Sequence, residues 1–178
     1  LDPLKLLCDR SHEKGIWFIA ANWVNFPGGN RKTDGGLGRI SDFVYDHPEF
    51  QVGSENDNRS DSKYVWGSIP NRFSFLHEEV RVKRFEVFEE MLSNYDTDGI
   101  LLNLIDYAPF CKFSEVNKLS PILTEWILEL RKVALKAEQK QGRRKRIYVH
   151  IPSHPKTWKE VGYDVPAWVS KNLVDGLV

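Results

Sequence analysis

The sequence predicts an α/β protein built on a parallel sheet with helices over both faces. Three observations carry that expectation. Short apolar runs of strand length alternate with amphipathic helical stretches, in the order helix, strand, long loop, helix, strand, helix, strand, helix, strand. The 178 residues are 41% hydrophobic and 28% charged, which supplies a real core for one domain or part of one. No G-x-G-x-x-G follows a predicted strand and no G-x-x-x-x-G-K-[ST] occurs, so neither a dinucleotide fingerprint nor a phosphate loop is present.

The first helix is predicted over 2–14. Leu4, Leu7 and Cys8 repeat at helical spacing, Pro3 sits near the first turn, and Gly15 is a stop. The run IWFIAANW over 16–23 reads as a buried strand. Residues 26–71 read as one long loop, with Pro27-Gly28-Gly29, Gly35-Gly36, a polar stretch over 54–62, and room for a short strand near 64–66. Loops of this length in a compact domain are usually functional or mobile. A second helix follows over 78–95, with Val80, Val87, Phe88, Met91, Leu92 and Tyr95 on one face. Asp98 is expected to serve the turn before Gly99, and a strand follows over 100–104. A loop over 106–119 leads to a third helix, with Ser120 as N-cap, Pro121 at the first position and Gly142 as the stop. A strand over 146–151, a short helix over 165–171 and a strand over 174–178 complete the pattern.

Composition excludes several functional classes. Twenty-five basic and 25 acidic residues leave no net positive field for phosphate, so no nucleic-acid partner is expected. The basic run KQGRRKR over 140–146 reads as a solvated loop at a helix C-terminus. No apolar run approaches the roughly 20 residues that span a bilayer, and no membrane partner is expected. No signal peptide is legible from Leu1 onward, although a start inside a domain would hide one. Cys8 and Cys111 form no CxxC and read as buried thiols. The oligomeric state is not legible.

Strand parity locates candidate site residues. In a (β/α)8 barrel, alternate strand residues point into the barrel or out at the helices, and chemistry gathers where strands end. Ile100, Leu102 and Leu104 suit the helix side, which turns Leu101 and Asn103 inward. Ile147, Val149 and Ile151 do the same for Tyr148 and His150. The first strand is ambiguous, with Asn22 inward in one choice. Asp106 and His154 lie just beyond two strand ends.

The stretch RFSFLHEEVRVKRFEVFEEMLSNYDTDGILLNLIDYAPF over 72–110 resembles bacterial glycosyl-hydrolase-like barrels of the family-ten-like group. The opening DPLKLLCDRSHEKGIWFIAANW and the ending VGYDVPAWVSKNLVDGLV resemble the same group. The strand DGILLN over 98–103 also resembles, more weakly, the DGxDxDxE strand of chitinase-type glycosidases. The resemblance implies a partial (β/α)8 TIM barrel, roughly strands three to six with flanking helices. Residues 1–178 would be part of a single catalytic-like domain with a loop insertion at about 26–71, and the chain a fragment of a longer protein. It further implies glycosidic hydrolysis of a polysaccharide or glycan without a cofactor, in a secreted or periplasmic setting. Leu101, Asn103 and Ile105 depart from the acids of those patterns, and an Asn cannot act as a general acid at neutral pH.

Glycoside hydrolysis generally uses two carboxylates. Asp106 is the best placed and is the expected acid. Asp42, Asp46, Glu49 and Glu55 in the long loop are undifferentiated candidates for the second. Asn103, His150 and Asn22 would position the sugar, with Tyr107 and His154 nearby. Aromatic rings stack on the apolar face of a pyranose. Trp23 leads these candidates, followed by Trp66, Tyr107 and Phe110, while Trp126, Trp158 and Trp168 suit helix packing. Pro152 and Pro155 are expected to forbid a helix around HIPSH, so His150 and His154 lack helical ligand spacing and no metal is expected. Ser153 lacks a G-x-S-x-G elbow. The alternatives are a non-catalytic carbohydrate-binding barrel, or a structural interaction module.

Overall fold

The computed structural model describes residues 2–25, 41–53 and 72–178. The expectations for 26–40 and 54–71, including Glu55, Trp66 and the strand near 64–66, lie outside the described residues.

Four parallel strands form one sheet: β1 (Ile19–Trp23), β2 (Gly99–Asn103), β3 (Arg146–His150) and β4 (Gly176–Leu177). Their spatial order is their chain order, β1-β2-β3-β4. Register aligns Ala21 with Leu101 and Tyr148, and Trp23 with Asn103 and His150. Ala20, Ile100, Leu102, Ile147 and Val149 are buried on one face. On the other face Ala21 and Trp23 are exposed, and Leu101, Asn103, Tyr148 and His150 are half-buried. Among the described residues the helices therefore cover one face of the sheet, where two were expected. Right-handed crossovers between strands laid down in strict order place every connecting helix on the same side.

Helix α1 (Pro3–Glu13) begins where Asp2 accepts hydrogen bonds from the Leu4 and Lys5 amides, both at 3.1 Å. The loop expected over 26–71 contains two ordered pieces, α2 (Asp42–Asp46) and a 3₁₀ turn (Pro48–Phe50). Phe43 and Phe50 pack on buried Phe73, with centroids 6.0 and 6.2 Å away. Aromatic burial thus orders a segment whose local pattern is loop-like.

Helix α3 (Glu78–Ser93) packs against the long α4 (Val116–Gln141). Trp126 of α4 sits among Phe75, Phe85 and Phe88, with centroids 5.3–6.2 Å away, and its indole donates to the Arg81 carbonyl. Ser120 is not the N-cap: α4 starts at Val116 and Pro121 lies inside it. Burial of Val116 and Leu119 draws the extra turn onto the core despite the proline's missing N–H. Helices α5 (Pro155–Glu160) and α6 (Val165–Ser170) follow β3. Pro155 starts α5 rather than forbidding a helix, because the first helical position needs no amide donor.

Two carboxylates, the buried Asp98 and the more exposed Asp175, tie the N-terminal ends of the strands together. Asp98 accepts from the Phe18 amide at 2.7 Å, His12 at 2.8 Å and Arg143 at 3.1 Å. Asp175 accepts from the Ile147 amide, Arg131 and Arg144. Lys145 is buried and donates to the Tyr95 and Thr97 carbonyls, while Arg146 lies 3.9 Å over the Trp17 ring. The basic run is therefore structural in part: Lys145 is buried and Arg143 and Arg146 are engaged, while Lys140 and Arg144 stay exposed as expected of a solvated loop.

Candidate functional site

The C-terminal ends of β1, β2 and β3 bring Trp23, Asn103 and His150 into one register row on the uncovered face. Parallel partners in a row project to the same side of the sheet. The chain after β2 folds back over that row. Asn103 shapes this turn: its Oδ1 accepts from the Ile105 amide at 3.1 Å, and its Nδ2 donates to Asp106 Oδ2 at 2.8 Å. An Asn of this kind closes a local turn and orients a carboxylate at once.

Tyr107 follows in a left-handed conformation, φ 66°. A bulky residue held there stores strain that the surrounding structure must impose. The ring meets Trp23 edge-on, with centroids 5.9 Å apart. Burial, and then the nearby Asp106 charge, push the Tyr107 phenol above its ordinary value, so it stays neutral at physiological pH.

Buried partners hold this loop from beneath. The Arg72 guanidinium donates to the Pro109 carbonyl at 2.8 Å and the Cys111 carbonyl at 2.9 Å. The Phe75 amide donates to the Phe110 carbonyl at 2.7 Å, and the Tyr163 hydroxyl to the Leu104 carbonyl at 2.6 Å. Sequence reading missed Arg72 and Tyr163. Contacts between residues 37 to 59 positions apart leave no local pattern to find.

The structure thus brings together Trp23, Asn103, Asp106, Tyr107 and His150, and does not bring in the other candidates. Asn22 shares a row with Leu102 and Val149, so it faces the helix side, and its Oδ1 accepts from the Trp23 amide at 2.8 Å. The ambiguous parity of β1 resolves against an inward Asn22. His154 is exposed and caps α5, its Nδ1 accepting from the Lys156 amide. Phe110 is fully buried in the core and offers no platform. Asp42 and Asp46 lie exposed on α2, and Glu49 pairs with His47 at 2.8 Å. Among the described residues no cluster of three His, Cys, Asp or Glu could hold a metal ion. Among them, too, no helix is long and apolar enough to cross a membrane.

No family model and no curated protein matches the chain. Solved glycoside hydrolases do match in fold. One is an Anoxybacillus alpha-amylase from a new glycosyl hydrolase subclass, at TM-score 0.57 and 17% identity, covering 100% of this chain and 33% of that one. Another is the alpha-amylase of Geobacillus thermoleovorans, complexed with acarbose, at TM-score 0.56 and 15% identity, covering 98% and 33%. A glycoside hydrolase family 18 N-acetylglucosaminidase from Paenibacillus barengoltzii aligns at TM-score 0.50 and 14% identity, covering 99% and 40%. The chain therefore has a glycosyl-hydrolase-like fold and spans about a third of the length of the structures it matches. The likeness does not single out family ten.

Proposed function

We propose that the chain contributes consecutive strands of a (β/α)8 barrel that binds carbohydrate at the C-terminal strand ends and hydrolyses a glycosidic bond. The observation that carries this reading is the row Trp23–Asn103–His150 with Asp106 hydrogen-bonded to its central member. Strict strand order and one-sided helix cover support the barrel, because closure would turn the uncovered face into the interior.

In this reading Trp23 lies against the apolar face of a sugar, with Tyr107 edge-on beside it. His150 and Asn103 supply polar groups to hydroxyls. Asp106 is the acid. Asn103 fixes its Oδ2, and Oδ1 carries the proton to the glycosidic oxygen. The C–O bond then breaks with oxocarbenium character at the anomeric carbon, which water quenches with help from a second carboxylate.

A specific observation favours a second reading, a carbohydrate-binding barrel without catalysis. Leu101, Asn103 and Ile105 occupy the positions where related patterns carry acids, and Asp106 already serves the turn. One experiment separates the two. Full-length wild type and Asp106→Asn are assayed for reducing ends released from α-glucans and chitooligosaccharides. Hydrolysis that falls by roughly 100-fold or more in the variant, with binding retained, is the expected result. Undiminished turnover removes Asp106 as the acid. Binding without turnover in wild type establishes the second reading.

A further inference from the structure

On the helical side of the sheet, away from the sugar row, an apolar trough runs between α3 and α4. A cleft of about 580 Å³ is floored by Val82, Phe85, Ile122 and Trp126. A second cleft of about 430 Å³ shares Glu78 and Val82 with it and extends the trough towards Phe43. Val82 is 50% exposed although it lies on the floor. Four residues of each helix line the larger cleft, from Glu78 to Phe85 and from Ile122 to Glu129, about 10 Å at 1.5 Å per residue, or two helical turns.

The rim is acidic. Glu78 and Glu79 stand on α3, and Glu125 and Glu129 on α4. Cations nearby leave most of this charge uncompensated. Arg81 turns its guanidinium to the Phe75 and Leu76 carbonyls, at 2.8 Å each. Lys83 pairs with Glu86, and Lys132 with Glu129. Glu78, Glu79 and Glu125 have no ion pair among the described residues. The helix dipole accounts for acids in the first turn of α3, but not for Glu125, nine residues into α4.

We propose that this trough is a docking site for a basic amphipathic helix of a partner protein. An apolar stripe at i, i+3, i+4 and i+7 fills two turns of floor, and flanking Lys or Arg side chains meet the two acidic rims. Charge complementarity favours this occupant over a second copy. The chain's own basic run is spent on Asp96, Asp98, Asp175, backbone carbonyls and Trp17.

The test uses a fluorescently labelled synthetic helix with Leu at those four positions and Lys on its flanks, and a control with Glu for every Lys. The full-length protein is titrated against each, alongside Val82→Asp and Glu125→Lys. Both substitutions lie on the surface, and circular dichroism checks that each variant keeps its helices. The proposal expects binding of the Lys peptide only, weakened about tenfold or more by either substitution. Equal binding of both peptides, no binding, or affinity unchanged in both variants overturns it. A wild-type homodimer that Val82→Asp dissolves also overturns it and assigns the trough to a second copy.

Discussion

Gly99 shows how tightly single positions are specified at the base of the sheet. Its φ is 150°, and a Cβ there would stand 2.1 Å from the Arg146 carbonyl oxygen. Neither the conformation nor the approach admits a side chain, because the contact is to backbone. Gly99→Ala should destabilise the protein by about 3 kcal/mol or more, measured by chemical denaturation. A loss below about 1 kcal/mol would mean that β2 and β3 can part at this point. The sequence marked Gly99 only as punctuation before a strand, since its close approach depends on β3, about 47 residues on. Asn103 is a parallel case. Parity placed it on the inner face, because apolar Ile100, Leu102 and Leu104 alternate with it and are all fully buried. Its bond to Asp106 was not legible, as it depends on the turn that Asn103 itself closes. Asn22 was misplaced because IWFIAANW is apolar in both phases, so period two had nothing to discriminate.

Elements were legible where local signals and packing agree. Helix α3 begins at Glu78 as its apolar spacing predicts, and Gly142 ends α4 in a left-handed cap, φ 68°. They conflict at the start of α4, where Ser120-Pro121 is a strong start signal and burial of Val116 and Leu119 overrides it. That conflict makes a prediction. Pro121 is exposed and sits inside the helix, so Pro121→Ala should restore an amide donor and raise stability by about 1–3 kcal/mol, read as a higher denaturation midpoint. A lower midpoint would show that the proline ring makes a packing contribution larger than the lost hydrogen bond. The His154-Pro155 pair is an overlooked start signal of the same type. There His154 serves as the cap and Pro155 opens α5.

Across the fold, Asp98 and Asp175 join α1, the basic run and α4 to the N-terminal ends of the strands. Burial by itself would raise the Asp98 carboxyl, but the Phe18 amide, His12 and Arg143 outweigh it and hold it below its ordinary value. Asp175 is held down in the same way, against burial, by the Ile147 amide, Arg131 and Arg144. A folded value below the unfolded one gives stability that is complete above the ordinary Asp value of 3.8 and lost as pH falls through the folded value. Denaturation midpoints taken from neutral pH down to about pH 2 should therefore fall in acid, and fall less steeply in Asp98→Asn. An unchanged acid slope in Asp98→Asn and in Asp175→Asn would contradict this assignment. At the opposite ends of the strands the other face carries the sugar-binding reading, and Trp23 stands 43% exposed on it. Its removal should leave the core intact. The decisive measurement is a calorimetric titration of maltooligosaccharides and chitooligosaccharides into the full-length protein and Trp23→Ala. The account predicts saturable binding of one of these glycans, weakened at least roughly tenfold in the variant, the loss of about 1.4 kcal/mol that one aromatic contact contributes. Binding of equal strength in both proteins, or of neither glycan to wild type, would contradict a carbohydrate site on this face.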